Sequence, residues 1–185
     1  MAHQFPSLEQ ADILLSRSNS RASRVIVAVQ ALHNGTARAS HTALIIDNKD
    51  CVEALWYGLT VTSLNKYNDV ENIRIVRLKT ITREQRLEIV ISLLRRIGEP
   101  YGWTSLALFA MDSLFSLILK KEISWFSKIA KVTKFAVCSQ AVAWAYANVT
   151  KQNVFGAPWQ SVTPDLIDEV SSGPDWETVY QSPTW

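Results

Sequence analysis

The sequence is poor in the residues that stabilise small secreted domains or bind structural metals. Its 185 residues include only two cysteines and three histidines. Two cysteines cannot form a disulfide framework, and together with the three histidines they lack the spacing of a zinc site. We therefore expect a reducing compartment and no metal or other cofactor. The six glycines and six prolines mark no low-complexity linker, and no internal repeat divides the chain.

The sequence also lacks a strong charge of either sign. A net charge of +2 is too mild to predict nucleic-acid binding, which usually requires a concentrated basic face. Arg17, Arg21, Arg24 and Arg38 lie in a stretch with few acids; they favour a solvated surface, with a groove for an anionic substrate or lipid as the alternative. Residues 1–6 show no basic segment followed by an apolar core, so we predict no secretory signal and expect synthesis in the cytoplasm.

No apolar run is long enough to predict a membrane-spanning helix. The longest run covers residues 106–119 and is interrupted by Asp112 and two serines, so it predicts a buried helix or a lid over a site. The lysines and aromatic residues that follow it leave a peripheral membrane contact through residues 106–126 open as an alternative.

The remaining composition predicts one domain with a substantial core. Hydrophobic residues make up 48% of the chain, which is enough for a single domain over residues 1–185. Short segments rich in branched or aromatic residues predict strands of one antiparallel sheet at 42–47, 52–57 and 73–78. Residues 24–32, which precede an Asn-Gly turn, fit either a strand or the end of a helix.

Helical patterns dominate the second half of the chain. Residues 82–98 predict a helix with Thr82 as N-cap, Gln85 completing a capping box and Gly98 as the stop. Its predicted apolar stripe comprises Leu87, Val90, Ile91 and Leu94. Further helices are predicted at 106–119, from Cys138 onwards and, with a proline in its first turn, at 163–170. Strands and helices in this arrangement predict the α+β class.

Cys138 stands at the start of a predicted helix. The unpaired N–H groups and the positive dipole end of a helix N-terminus favour a thiolate over a thiol. Such a sulfur is prepared to act as a nucleophile, and its own backbone N–H is placed to contribute to an oxyanion hole. Cys51 has no comparable surroundings in the sequence, and we expect it to be a small core residue.

A base for this thiol is found on a predicted strand. His41 begins the strand 42–47, whereas His3 and His33 lie in a terminus and beside a turn. A histidine that accepts the thiol proton usually has an orienting partner on its other ring nitrogen. Glu53 on the next strand is the candidate, because an antiparallel neighbour can place its carboxylate beside the imidazole. Asp47 and Asn48 are the alternatives for this role.

Short segments in one order resemble the circularly permuted, YiiX-like branch of the NlpC-type papain-fold hydrolases, whose architecture is related to lecithin:retinol acyltransferase. Segment 11–15 resembles a Gly-Asp-Ile strand with Ala11 in place of glycine, and segment 40–45 resembles a Ser-His-x-Gly-Ile strand with Ala43 in place of glycine. The other segments are 53–64, the Gly-x-Pro-Tyr turn at 98–102, the nucleophile helix at 137–142 and the closing element at 163–166. His41 precedes Cys138, which is the reverse of the unpermuted order.

The resemblance implies a permuted papain-like fold with an antiparallel sheet packed against helices, and a helical insertion or lid at about 103–134. It implies Cys138 as nucleophile, His41 as general base and acid, and Glu53 as orienter. Substrate contacts are expected from three residues: Tyr101, Ser139 and Ser40.

The activity implied is that of a cysteine hydrolase cleaving an amide or peptide bond through a thioester, with a peptidoglycan-type peptide as the leading substrate. An acyltransferase or esterase acting on lipid acyl groups is the alternative. A third interpretation, favoured by the departures at Ala11 and Ala43, is a binding module without turnover. A cell-wall target would require delivery, for example by a phage particle or as a secreted effector.

Overall fold

The computed structural model describes residue 5 and residues 7–17, 38–100 and 138–185. Within these ranges there are six strands: β1 (Ile13–Arg17), β2 (His41–Ile45), β3 (Asp50–Leu55), β4 (Gly58–Ser63), β5 (Asn72–Leu78) and β6 (Trp176–Gln181). The helices are α1 (Arg83–Leu94), α2 (Cys138–Thr150) and α3 (Pro164–Val170), with single-turn 3-10 helices at Leu64–Tyr67 and Trp159–Ser161. The predicted α+β class is confirmed.

Four predictions concern segments outside the described residues. These are the strand or helix end at 24–32, the helix at 106–119 with its membrane contact through 106–126, the lid at 103–134, and the substrate contact by Tyr101. They stay predictions.

The strands form one open antiparallel sheet in the order β4-β3-β2-β1-β5-β6. The central strand β1 is covered on both faces, since Ile13, Leu14 and Leu15 have no exposed surface. A short run of consecutive apolar residues is typical of such a strand. The three predicted strands are confirmed as β2, β3 and β5, while β4 and β6 were not predicted.

Each face of the sheet has its own apolar core. On one face, Leu15, Leu44 and Val52 pack with residues of α1 and α2 such as Ile89 and Val142. On the other face, the core is made by Leu14, Ile45, Cys51, Tyr67, Ile73 and their neighbours. Side chains of β3 therefore alternate between the two faces, with Cys51 and Val52 on opposite sides of the sheet. Cys51 has no exposed surface, as expected of a small core residue.

Helix α1 has the predicted N-cap, but it ends at Leu94 and not at the predicted stop Gly98, and it buries a different face. Thr82 Oγ1 accepts from the N–H of Gln85, and Gln85 Oε1 accepts from the N–H of Thr82. The predicted stripe is wrong at Leu87 and Ile91, which are 44% and 36% exposed. The buried face instead carries Arg86, Ile89, Val90 and Leu93.

Arg86 explains this rotation of α1. Its guanidinium donates to the carbonyl of Leu78 over 2.6 Å and pairs with the carboxylate of Glu9 over 3.5 Å. A charged side chain can occupy a buried face when its donors are satisfied there. Because apolar residues occur on two faces of this helix, periodicity alone does not identify the buried one.

Helix α2 is tied to the sheet through the turn before β1. The hydroxyl of Tyr146 donates to the carbonyl of Ala11, and the N–H of Ala11 donates to Ile45 in β2 over 3.0 Å. Ala11 has φ +61, a conformation that glycine adopts with less strain. The position where the resemblance expects glycine thus keeps a left-handed backbone, and it links α2 to the strand that carries His41.

Among the helices of the described ranges, none has both the length and the apolar character needed to cross a bilayer.

Candidate active site

The candidate nucleophile lies where α2 begins. Cys138 is the first residue of α2 and is 7% exposed. Its sulfur hydrogen-bonds to the imidazole of His41 and accepts from the backbone N–H groups of Thr42 and Ser139. The β2 strand therefore supplies both an imidazole and a main-chain donor to the sulfur, in addition to the donor from the helix itself.

His41 joins the thiol to Glu53. Its Nε2 lies 2.6 Å from Glu53 Oε2, so Nδ1 is the ring nitrogen available to Cys138. The pairing of Ala43 with Glu53 across β2 and β3 makes His41 the diagonal neighbour of Glu53 on the same face, a spacing that long side chains bridge. The imidazole is 24% exposed while the carboxylate is fully buried.

Glu53 is held by four donors. His41 Nε2 and the Tyr67 hydroxyl, the latter at 2.9 Å, share Oε2. Thr62 Oγ1 and Lys66 Nζ share Oε1. A buried carboxylate is tolerated when its lone pairs are satisfied in this way.

The charges of these three residues support one another. Burial raises the pKa of the Glu53 carboxyl, but the hydrogen bond and charge of His41, with the Lys66 and Thr62 bonds, outweigh it and lower the pKa to about 2. Burial lowers the pKa of His41, but Cys138 and Glu53 outweigh it and raise the pKa to about 9. Burial likewise raises the pKa of Cys138, and the charge and hydrogen bond of His41 reverse the shift and lower it. The arrangement favours a thiolate beside an imidazolium.

The two serines predicted as substrate contacts are occupied by backbone carbonyls. Ser139 Oγ, which has no exposed surface, donates to Val162 over 2.7 Å. Ser40 Oγ donates to Ser16 over 3.3 Å and is 4% exposed. These contacts hold α2 and β2 in place, and they give no support to substrate binding by either hydroxyl.

The alternative orienters lie away from the imidazole. Asp47 Oδ1 accepts from the N–H groups of Lys49 and Asp50 over 2.7 and 2.9 Å. It therefore closes the turn between β2 and β3, at the end of β2 opposite His41. Asn48 lies in the same turn, so the expectation for these two alternatives is wrong.

Sequence reasoning missed the residues around Glu53 and an aromatic pair near the site. Thr62, Lys66 and Tyr67 contact the carboxylate from β4 and the turn after it, and only the burial of an acidic strand residue could have indicated that such donors exist. Trp56 and Tyr57, 72% and 56% exposed, form an edge-to-face pair at 5.1 Å in the β3–β4 turn. Continuing the β2–β3 register places this turn at the same end of the sheet as His41.

The fold and this constellation define an α+β protein in which a cysteine, a histidine and a carboxylate form one hydrogen-bonded chain. No protein-family model matches the sequence, and no curated protein is significantly similar to it.

The solved structures that this chain resembles include YiiX from Escherichia coli O157:H7, which is described as a metalloprotein. The TM-score is 0.57 at 17% sequence identity, and the match covers 94% of this chain and 97% of that one. At this identity the likeness establishes a YiiX-like fold.

Proposed function

We propose that the protein is a cysteine hydrolase with a permuted papain-like site in which Cys138, His41 and Glu53 act together. The observation that carries the proposal is the continuous hydrogen-bonded chain from the Cys138 sulfur through the imidazole to a fully buried carboxylate. Nucleophile, base and orienter in mutual contact are the signature of covalent catalysis.

The reaction follows from the positions of the three groups. The Cys138 thiolate attacks the acyl carbon, and main-chain N–H groups near the start of α2 stabilise the developing oxyanion. His41 donates its Nδ1 proton to the leaving amine or alcohol, and a thioester forms on the sulfur. Water then attacks the thioester while His41 accepts its proton, which releases the acid and restores the ion pair.

Amide bonds of a peptide are the leading substrate class, because an amine leaving group requires the proton that a raised imidazole pKa retains at neutral pH. The resemblance favours a peptidoglycan-type peptide among these.

A metal centre does not fit the described residues. YiiX is described as a metalloprotein, but within residues 7–17, 38–100 and 138–185 no group of three or more His, Cys, Asp or Glu side chains could hold a metal ion. The Nε2 of His41 and the carboxylate of Glu53 are bonded to each other. The proposed reaction therefore has no step through a metal.

Thiol labelling tests the proposal directly. We expect iodoacetamide to alkylate Cys138 near pH 6 at least about 10²-fold faster than Cys51, because only a thiolate reacts. Burial raises the pKa of the Cys51 thiol to about 12, so this residue serves as an internal reference. The two rates are read by mass spectrometry of the digested protein, with Cys51→Ala as control. A Cys138 that labels no faster than Cys51 would eliminate the hydrolase.

A lipid acyl substrate is the second candidate, and the exposed Trp56–Tyr57 pair beside the site favours it. Tryptophan and tyrosine are enriched where proteins meet the headgroup region of a bilayer. For this function we expect the protein to float with anionic vesicles at low salt, and the Trp56→Ala/Tyr57→Ala variant to lose several-fold of the bound fraction. Leu87→Ala, which removes an exposed apolar residue of α1, is the matched control. If the wild-type protein stays in the unbound fraction, the lipid substrate is rejected and peptide hydrolysis is the function that remains.

A further inference from the structure

The side of Glu53 that faces away from His41 is occupied by a cation. Lys66 Nζ forms an ion pair with Oε1, while His41 Nε2 binds Oε2. The Lys66 side chain is 38% exposed and lies over the ring of Tyr67, 5.0 Å from its centroid. A single carboxylate thus separates a permanent cation from a histidine that changes charge.

The charge of Lys66 matters because the other groups around Glu53 are neutral or change their charge. In the part of the chain that the structure describes, the titratable groups that face the carboxylate are His41 from β2, Cys51 from β3 itself, Lys66 and Tyr67 from the 3-10 turn, and Cys138 beyond the imidazole. Cys51 and Tyr67 are neutral, because burial raises the pKa of each. Among the described residues that bond to Glu53, Lys66 is the cationic side chain that takes no part in the proposed proton transfers.

The proposed reaction makes His41 alternate between imidazolium and imidazole. When His41 is neutral, a buried carboxylate without another partner would be costly and would tend to retain the proton itself. A cation on the second oxygen removes this tendency. The same cation repels the imidazolium and so makes its proton easier to release to a leaving group.

We propose that Lys66 is a positioning residue that acts as the permanent counter-ion of Glu53 and thereby allows His41 to release its proton while the carboxylate stays charged. This inference rests on the proposed function for its role in a cycle, but its electrostatic part can be measured without a substrate.

The experiment is an NMR titration of the His41 imidazole in the Cys138→Ala background, where no thiolate contributes. We expect Lys66→Met to raise the titration midpoint of His41 by about one pH unit, because removing a like charge that is bound to the same carboxylate favours the imidazolium. Lys66→Gln retains a hydrogen-bond donor without charge and should give the same rise. Lys66→Arg should restore the wild-type midpoint, and Lys49→Met, which removes an exposed lysine, should leave it unchanged.

Two outcomes decide the inference separately from the proposed function. A midpoint that stays within a few tenths of a unit in both Lys66→Met and Lys66→Gln overturns the role of Lys66, even if Cys138 proves reactive. If Cys138 is unreactive but the His41 midpoint rises as expected, the role of Lys66 as counter-ion is supported and the proposed hydrolase function is rejected. Because Lys66 is partly exposed, a merely structural role would lower the unfolding temperature of its variants without moving the His41 midpoint.

Discussion

Replacing His41 with alanine is expected to lower the rate of Cys138 alkylation near pH 6 by about 10²- to 10³-fold, since an unpaired buried thiol is almost entirely protonated there. In the wild-type protein the imidazole outweighs burial and lowers the pKa of Cys138. In the variant, burial of the thiol is opposed only by the backbone N–H groups of Thr42 and Ser139. The measurement is the second-order rate with iodoacetamide as a function of pH.

His33→Ala is the matched control, because the sequence predicts that this histidine lies beside a turn and not at the site. Its alkylation rate should equal that of the wild type. A His41→Ala protein that keeps a fast, acid-shifted reaction would show that the helix N-terminus activates the sulfur without the imidazole.

The shifted pKa values of His41 and Cys138 act on stability in opposite directions. The pKa of His41 is raised from 6.5 to about 9, so its stabilising contribution is fully present below 6.5 and is lost as the pH rises through about 9. The pKa of Cys138 is lowered from 9.0, so its contribution is present above 9 and is lost as the pH falls. The two contributions oppose each other between pH 6.5 and 9, and the unfolding temperature of the wild type should stay nearly level across this interval.

Replacing Glu53 with glutamine is expected to lower Cys138 reactivity by about 10²- to 10⁴-fold through the wrong imidazole tautomer, the effect known from the serine-protease triad. Glutamine has one acceptor oxygen, and the ammonium of Lys66 together with Thr62 would hold it in the place of Oε1. The amide nitrogen would then face His41 and donate to Nε2. The remaining proton of the imidazole would sit on Nδ1, where it blocks acceptance of the thiol proton.

The lost charge should also alter the pH dependence of stability. The Glu53 carboxyl has its pKa lowered from 4.5 to about 2, so its contribution is present above 4.5 and is lost as the pH falls through about 2. The unfolding temperature should therefore change less with pH between these two values in Glu53→Gln than in the wild type.

The double variant Glu53→Gln/Lys66→Met tests the tautomer explanation. Because no cation directs the amide in this variant, it should regain part of the Cys138 reactivity. Equal loss in the single and double variants would contradict the tautomer explanation.

The sequence predicts the site better than it predicts the surroundings of the site. Glu53 could be placed beside His41 because a charged residue between apolar neighbours on a strand needs a partner on the adjacent strand. The donors from Thr62, Lys66 and Tyr67 could not be predicted, since their position depends on how β4 and the following turn fold back over β3. Local patterns contain no information on that contact.

The fold likewise has features that local sequence patterns predict and features that they do not. The α1 cap was predictable because a capping box involves residues three positions apart. The buried face of α1 could not be predicted. Arg86 lies on that face because it binds the Leu78 carbonyl and Glu9, and both partners lie outside the helix. Among the described strands, β6 pairs with β5 alone, and unlike the inner strands it is not a short apolar segment in the sequence.

Gly58, which follows the β3–β4 turn, allows the chain to pass close to Glu99. Its φ is +134, and a Cβ built on it would lie 2.6 Å from the carbonyl oxygen of Glu99. The neighbouring Leu59 exchanges backbone hydrogen bonds with Glu99 and Gly98, each of 2.9 Å. Two backbone hydrogen bonds and a contact with no room for a Cβ therefore hold the start of β4, directly after the aromatic turn, against the segment that follows α1.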